Sequence, residues 1–298
     1  MTASEQRRKD LEEALKLSGK KIKEVTDFKE HNIFFGLTNE YLQDLWSRFR
    51  ISGETGLSVL ASGDQMLNLI YKGVSKIDTF DINRLTEYYA IGFKKRAIEC
   101  LSYEQFIKLF DYYDRDTAPY YFLNPELEKY VIENMEEEYK RFWQEFLYRS
   151  KELNPTKPNS IFLLAQKSEL KWVKSNHSNI YMNNIKNYQK LQQNLLNAKI
   201  TFQQMNILDI SPNMGKYDTI FLSNIFDYYE DMFDENPFDE ALKLAKSIYE
   251  NNLQDGGQLI FIHLFSRFLS RLMDENYVED TRLYDLALGW KKPRSRKR

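Results

Sequence analysis

The stretch over residues 55–83, TGLSVLASGDQMLNLIYKGVSKIDTFDIN, constrains the fold more than any other part of the chain. A short apolar run at residues 57–61 is followed by a turn with a single glycine, room for about three helical turns, and a second apolar run at residues 76–80. Strand, turn, helix and strand in this order form a βαβ unit, whose parallel strands are joined by a right-handed crossover. The stretch therefore predicts a parallel sheet with helices packed on it.

The rest of the chain continues this alternation around a helical interruption. Residues 1–50 are predicted to be an N-terminal helical segment, with an exposed or partner-covered helix over residues 5–25 and a second helix starting at Thr38. Residues 51–290 are predicted to be an α/β domain with a doubly wound, Rossmann-like sheet, interrupted by a helical insertion at about residues 100–155. In the insertion, Pro125 is expected to open one long helix that runs to about residue 150. Further strands are predicted at residues 161–165, 199–203, 219–223 and 258–263, and further helices at residues 183–197 and 238–253.

Composition and charge exclude several classes of function. Of the 298 residues, 42% are hydrophobic and 15% aromatic, which suits a globular protein, and the net charge of −2 gives no general attraction to nucleic acid or anionic lipid. The single cysteine, Cys100, excludes an internal disulfide, and the three histidines have no zinc-ligand spacing, so no metal site is expected. Without a signal-peptide pattern or an apolar run long enough to cross a bilayer, the protein is expected to be cytoplasmic.

The turn after the first predicted strand, ASGDQ at residues 61–65, is the predicted ligand site. A turn that opens a helix presents free backbone N–H groups, so polar ligand groups bind there. Gly63 is alone where the dinucleotide fingerprint has three glycines, which argues against a pyrophosphate. The negative Asp64 favours a cationic or hydroxyl-bearing ligand, and S-adenosylmethionine, with a sulfonium, an α-ammonium and no phosphate, meets this description.

An acid at the end of the second predicted strand suits a nucleoside. Asp81 lies 18 positions after Gly63, close to the spacing at which an acid accepts hydrogen bonds from both ribose hydroxyls, and Asn83 belongs to the same predicted site. Taken alone, a strand-ending Asp-x-Asn is as often an N-cap or a turn. The preceding turn and the following strands favour the nucleoside.

The next strand along the chain contributes two more candidates for cofactor binding. Asn206 or Asp209 follows the strand predicted at residues 199–203 and is placed to hydrogen-bond an adenine amino group. The alternative is that Asp209 only begins the turn before Pro212.

A polar cluster follows the fully apolar strand in YDTIFLSNIFDYY. Ser223 is predicted to bind the cofactor, while Asn224, Asp227 and Tyr228 are the candidate catalytic residues, because ligands of open α/β sheets bind at the carboxyl ends of the strands. The alternative is a capped helix start with surface tyrosines. Asp64, Asp227 and Tyr228 are candidates for the catalytic base, whereas His263 is expected to be a core histidine.

Four stretches of the chain, VLASGDQMLNLIYKGVSKIDTFDIN, LSYEQFIKLF, NYQKL and YDTIFLSNIFDYY, together resemble an S-adenosylmethionine-binding Rossmann family of mostly uncharacterised bacterial proteins. That family is similar to the enzyme of betaine-lipid synthesis that transfers a 3-amino-3-carboxypropyl group to diacylglycerol. The resemblance covers roughly residues 32–265 and implies a class I methyltransferase-like fold with S-adenosylmethionine as cofactor. It implies that Asp81 holds the ribose, that Asn224 and Asp227 face the sulfonium or the acceptor, and that the methionine part is lined by Ser62, Gly63, Asp64 and Gln65.

These features predict a group transferase that uses S-adenosylmethionine. The resemblance favours transfer of the aminocarboxypropyl group, while the residue spacing leaves methyl transfer equally open. The acceptor stays open among a lipid, a small molecule, a peptide and RNA, as does the oligomeric state. The aromatic segment DYYDRDTAPYYF at residues 111–122 is a candidate lid over the cofactor, with helix packing as the alternative.

A function of a different class rests on the last eight residues. KKPRSRKR at residues 291–298 contains six basic residues, which suits a non-catalytic nucleic-acid-binding module or contact with an anionic membrane surface. The alternative is a solubilising end without a further role.

Overall fold

A seven-stranded sheet forms the centre of the computed structural model. The structure describes residues 2–18, 20, 30–38, 51, 53–110, 124–153, 155–156, 159–166, 179–228, 232–233, 235–262, 282–284 and 287–291. The strands are β1 (Phe34–Phe35), β2 (Thr55–Val59), β3 (Lys76–Asp81), β4 (Ala165–Gln166), β5 (Lys199–Gln204), β6 (Tyr217–Phe221), β7 (Leu253–Ile262), β8 (Arg282–Tyr284) and β9 (Ala287–Lys291). The small strands β1 and β4 form a separate parallel pair.

The strand order of the large sheet is β5-β3-β2-β6-β7-β9-β8. Strands β5, β3, β2, β6 and β7 are parallel, while β9 runs antiparallel to both β7 and β8. This order confirms the doubly wound, Rossmann-like sheet expected from the sequence. The chain reverses its direction of strand addition between β2 and β6, and such a switch point opens a crevice at the carboxyl ends of the strands.

Helices cover the sheet. They are α1 (Ala3–Leu17), α2 (Asp64–Tyr71), α3 (Leu85–Glu87), a π-helix (Tyr88–Lys94), α4 (Lys95–Cys100), α5 (Tyr103–Phe110), α6 (Pro125–Glu133), α7 (Glu137–Leu153), α8 (Ile185–Leu195) and α9 (Pro237–Asn252). Successive strand residues point to opposite faces, so Leu259 and Phe261 belong to the cluster that α9 covers, whereas Ile260 and Ile262 belong to the cluster on the other face. The sheet therefore separates two hydrophobic cores.

The N-terminal helix is part of the larger core. Leu11, Ala14 and Leu15 of α1 are buried in the same cluster as Leu67 of α2 and Trp143 of α7. The predicted exposed or partner-covered helix is thus covered by the chain itself, and the predicted division at residue 50 does not separate two cores. The helix predicted from Thr38 and the aromatic segment at residues 111–122 lie outside the described residues.

Two predictions, one for the insertion and one for the segment after it, differ from the structure. The strand predicted at residues 161–165 is present only at its last residue, because Ile161–Leu163 is a 3-10 helix that leads into the short β4 (Ala165–Gln166). The long helix predicted from Pro125 is divided into α6 and α7 at Asn134. The carbonyl of Asn134 accepts a hydrogen bond from the Arg96 side chain, and this contact helps end α6.

A buried carboxyl group joins α6 to the segment that leads into β4. Glu128 is 2% exposed, and it accepts hydrogen bonds from the Ser160 hydroxyl (2.7 Å) and from the backbone N–H of Ile161 (2.9 Å). Burial raises the pKa of Glu128 to about 7, against the lowering effect of these two donors. The folded protein therefore holds this proton more tightly than the unfolded chain does.

The substitution Glu128→Gln tests this tie. Folding raises the pKa of Glu128, so its protonated form contributes to the stability of the folded protein. This contribution is lost as the pH rises from about 4.5 to about 7, and the free energy of unfolding falls by up to about 3 kcal/mol. Glutamine offers an acceptor to Ile161 and a donor to Ser160 and does not titrate, so the variant should gain stability relative to the wild type between pH 5 and pH 8. Urea unfolding at both pH values measures the difference. The exposed Glu126→Gln is the control, and equal pH dependence in E128Q and wild type would contradict the assignment.

Candidate functional site

Asp81, the acid predicted to hold the ribose, links the end of β3 to the turn after β2. Asp81 is the last residue of β3, and its Oδ2 accepts a hydrogen bond from the backbone N–H of Ala61 (2.8 Å) in the turn after β2. Its Oδ1 accepts from the N–H of Asn83 (2.9 Å). Burial raises the pKa of Asp81 to about 6, although these N–H donors oppose the shift, so the carboxylate is ionised at neutral pH. The residue is half-buried at the carboxyl end of β3.

Two strained residues flank the switch point of the sheet. Ala61, after β2, has φ +43°, and Ser223, after β6, has φ +56°. Left-handed backbone costs a non-glycine residue about 1–2 kcal/mol, and such residues concentrate at functional sites. The carbonyl of Ser223 is held by the N–H of Ile262 (2.8 Å), so the neighbouring strand β7 helps to fix this conformation.

Gly63 packs against the π-helix. It has φ +82°, and a Cβ at this position would lie 2.8 Å from the Cβ of Ala90. Its N–H donates to the carbonyl of Leu60 (2.6 Å), which closes the turn. The sequence suggests a glycine whose backbone faces a ligand, but the structure shows a glycine that allows the turn to approach a helix. A direct contact between Gly63 and a cofactor remains a prediction.

Asp64 faces the protein interior. Its Oδ1 accepts from Lys94 Nζ (2.5 Å) and from the Tyr181 hydroxyl (2.5 Å), and its Oδ2 accepts from the N–H of Thr38 (2.6 Å) and the hydroxyl of Ser62 (3.0 Å). The side chain is fully buried. The interpretation of Asp64 as a carboxylate open to a cationic ligand, or as a catalytic base, is therefore wrong, because four protein donors occupy its oxygens.

Lys94 is the partner that the sequence analysis missed. It is fully buried, pairs with Asp64, and donates to the carbonyls of Gly36 and Ser62 (3.0 Å each). Burial lowers the pKa of Lys94, and the Asp64 carboxylate opposes that shift. Lys94 is the last residue of a π-helix, in which backbone hydrogen bonds join residues five positions apart. Tyr89, five residues before Lys94, therefore lies on the same side of this helix. The Tyr89 hydroxyl also donates to the carbonyl of Gly36 (2.5 Å). A 3.6-residue period gives no signal for this placement.

The side chain of Asn83 is held by the protein itself. Its side chain donates to the carbonyl of Asn32 (3.0 Å) and accepts from the N–H groups of Asn32 (3.1 Å) and Leu85 (3.2 Å). The amide is 7% exposed and thus links residues 30–38 to the end of β3. Asn83 supports Asp81 through its backbone and its side chain binds Asn32, while its contact with a cofactor remains a prediction.

Polar side chains connect β2 with β6 across the switch point. The Gln65 amide donates to Ser223 Oγ and to Thr38 Oγ1 (3.4 Å each), and Ser223 Oγ donates to Asn224 Oδ1 (3.4 Å). Asn224 is half-buried, whereas Ser223 and Gln65 are nearly fully buried. The structure thus brings together these residues, which the sequence assigns to cofactor and catalysis, and adds Thr38.

The remaining candidates lie at the same edge of the sheet. Asn206 and Asp209 form a reciprocal cap of the 3-10 helix Ile207–Asp209, and the exposed Asp209 carboxylate accepts from the N–H of Asn206 (3.3 Å). This favours the turn alternative for Asp209, and the adenine contact remains a prediction. Asp227 and Tyr228 lie in the 3-10 helix Ile225–Tyr228, and their side chains are outside the described part of the structure, as is His263.

The strand tips present hydrogen-bond acceptors rather than positively charged groups. Asp81 is half-buried and accepts from backbone N–H groups, while the Asp64–Lys94 pair below the turn is charge-neutral. Within the described ranges, no group of three His, Cys, Asp or Glu side chains is placed to hold a metal ion. No described helix is long and apolar enough to span a membrane.

Comparisons with known proteins place this chain beside methyltransferase structures at low similarity. No protein-family model and no curated protein sequence matches the chain. A putative S-adenosylmethionine-dependent methyltransferase from Listeria monocytogenes has 11% identity and a TM-score of 0.31, and the match covers 74% of this chain and 54% of that one. This chain therefore spans about half of the Listeria protein.

Two further structures match over more of their length. The N-methyltransferase NodS from Bradyrhizobium japonicum WM9, in complex with S-adenosyl-L-homocysteine, has 11% identity, a TM-score of 0.37 and coverage of 85% of this chain and 86% of that one. The ribosomal protein L11 methylase from Lactobacillus delbrueckii subsp. bulgaricus has 12% identity, a TM-score of 0.35 and coverage of 86% and 82%. With these scores, the fold assignment depends on the strand order itself.

The substitution Gly63→Ala tests the contact between the turn and the π-helix. The new methyl group would meet Ala90 and the residue would be strained at φ +82°, so we expect a loss of about 2–4 kcal/mol in the free energy of unfolding. Gly73→Ala is the matched control, because Gly73 has φ +108° and nothing within 4 Å of its added Cβ, which leaves the strain alone. Urea unfolding should show that G63A/A90G recovers part of the loss. Equal losses in G63A and G73A would contradict the close approach.

Proposed function

We propose that this protein is an S-adenosylmethionine-dependent group transferase. The observation that carries the proposal is the position of Asp81, whose carboxylate lies at the tip of β3 and is bonded to the N–H of Ala61 in the turn after β2. An ionised acid beside the first turn of a doubly wound sheet is where a ribose is held in nucleoside-binding folds. The switch point between β2 and β6 is next to this turn.

The residues at the strand tips fit this cofactor. Asp81 supplies acceptors for the two ribose hydroxyls, and a turn with a single glycine suits a nucleoside without a pyrophosphate. Asn224, half-buried beside Ser223, supplies polar groups near the switch point. Since Asp64 is neutralised by Lys94, charge from Asp64 does not contribute to binding of the sulfonium.

The transferred group is proposed to be 3-amino-3-carboxypropyl, and methyl is the alternative. A sulfonium cofactor activates three carbons, and the carbon that reacts is the one aimed at the acceptor. The protein contributes position, and holding two reactants in line supplies about 7–11 kcal/mol of the barrier. The preference for the aminocarboxypropyl group rests on the resemblance of the sequence alone.

The acceptor is proposed to be a nucleophile bound beside Asn224, with Asp227 and Tyr228 as the neighbouring candidates for a base. Its class stays open among a lipid, a small molecule, a peptide and RNA. The nucleic-acid-binding alternative depends on the basic segment after Lys291, which lies outside the described residues.

The product of the reaction tests the proposal directly. The purified protein is incubated with S-adenosylmethionine and cell extracts that supply acceptors, and the nucleoside product is identified by mass spectrometry. Methylthioadenosine is expected if the aminocarboxypropyl carbon is attacked, whereas S-adenosylhomocysteine would identify methyl transfer. Neither product, together with no cofactor binding by calorimetry, would contradict the proposed function.

Cofactor affinity should depend on pH through Asp81. The ionised carboxylate accepts the ribose hydroxyls, so affinity should be constant above pH 7 and fall below about pH 6, by up to about tenfold per pH unit, as the group gains its proton. Calorimetric titration of S-adenosylmethionine between pH 5 and pH 8 measures the dependence.

The variant Asp81→Asn assigns this dependence to one residue. It should bind the cofactor more weakly at pH 8 and lose the fall in affinity below pH 6. Asp78→Asn is the matched control in the same strand, because Asp78 binds Thr201 and Tyr217 away from the strand tip. The assignment to Asp81 fails if D81N keeps the wild-type pH profile.

A further inference from the structure

The buried pair of Asp64 and Lys94 connects three separate parts of the chain. Lys94 Nζ donates to the Asp64 carboxylate (2.5 Å), to the carbonyl of Ser62 in the turn after β2 (3.0 Å) and to the carbonyl of Gly36 (3.0 Å). Asp64 in turn accepts from the N–H of Thr38 (2.6 Å). Turn, π-helix and residues 36–38 therefore meet at one ammonium and one carboxylate.

Residues 30–38, which contain β1, form a segment that we call the strap. One end is fixed to the pair through Gly36 and Thr38. The other end is fixed beside Asp81, where the strap residue Asn32 exchanges two hydrogen bonds with the Asn83 side chain (3.1 and 3.0 Å). The strap thus runs from the proposed ribose acid to the turn, and its Thr38 hydroxyl lies 3.4 Å from Gln65 Nε2.

Stability alone does not account for a buried pair of this kind. Moving two charges out of water costs several kcal/mol per ion, and apolar residues of similar volume are often as stabilising as the pair they replace. What the pair supplies and apolar side chains lack is a set of directed hydrogen bonds. Here these bonds go to the backbone carbonyls of Gly36 in the strap and of Ser62 in the turn.

We propose that Lys94 is a positioning residue of the cofactor site, which holds the strap and the turn in the arrangement that binds the cofactor. This inference rests on the function proposed above. Lys94 has no contact with the reacting atoms in this assignment, and it acts through the carbonyls of Gly36 and Ser62 and through Asp64. The strap then belongs to the cofactor site, and the strap residue Thr38 places its hydroxyl next to Gln65.

The test compares single and double substitutions in the full-length protein. K94M leaves a buried carboxylate without its cation and D64N leaves a buried ammonium without its anion, so both should lower the Tm. D64N/K94M removes both charges, and its Tm should recover toward the wild-type value. The cofactor affinity of D64N/K94M, measured by calorimetry, should not recover and should stay on the order of tenfold or more below that of the wild type. The reason is that the loosened strap must become ordered when the cofactor binds, which costs free energy of binding.

A second readout needs no cofactor. Amide hydrogen exchange of residues 33–38 in the cofactor-free protein should be slow in the wild type and faster in D64N/K94M, with the N–H of Thr38 as the reporter. K95M is the matched control, since the neighbouring Lys95 pairs with Glu99 (2.8 Å) at the half-buried surface. It should leave affinity, exchange of the strap and Tm close to the wild-type values.

The outcomes separate the two proposals. Recovery of both Tm and cofactor affinity in D64N/K94M would overturn the inference, because the pair would then serve stability only. Unchanged exchange of the strap in that variant would overturn it as well. If the wild-type protein binds no S-adenosylmethionine, the proposed function fails and the role of Lys94 in cofactor binding fails with it. Exchange of the strap still shows whether the Asp64–Lys94 pair holds that segment.

Discussion

The ion pair between Asp64 and Lys94 is the contact on which the edge of the sheet depends. Both side chains are fully buried, and the carboxylate accepts from the backbone of Thr38 and the hydroxyls of Ser62 and Tyr181. A buried charge without a partner costs several kcal/mol, so each member requires the other to be in place. The pair therefore links the strap, the turn and the π-helix at this edge of the sheet.

A second buried carboxylate fixes the N-terminal helix in a similar way. Asp10 of α1 accepts from Arg84 Nε (3.0 Å) and the Tyr88 hydroxyl (2.9 Å), and lies 2.7 Å from His31 Nε2. Arg84 follows β3 directly after Asn83, and Tyr88 begins the π-helix. The same short region after β3 thus contacts α1, the strap and Asp81, which explains how segments far apart in sequence surround the strand tips.

The sequence predicted the scaffold well where the signal is local. Apolar runs bounded by turns located β2, β3, β5 and β6 within one or two residues, and the order of strands and helices predicted a doubly wound sheet. Asp81 was placed at the tip of β3 because it directly follows the apolar run at residues 76–80. The roles of Asp64 and Asn83 could not be predicted, since their partners Lys94 and Asn32 are 30 and 51 residues away.

The sequence by itself determined the α/β sheet, the turn after β2 and the acid at the end of β3, because hydrophobic periodicity and turn residues act over a few neighbouring positions. Only the tertiary structure decided which polar groups remain available to a ligand. Asp64 follows β2 and Asp81 ends β3, yet Asp64 is fully buried against Lys94 and Tyr181, while Asp81 is half-buried at the sheet edge. The physical reason is that the hydrogen-bond partners of a buried polar group come from distant parts of the chain, and only packing brings them to it.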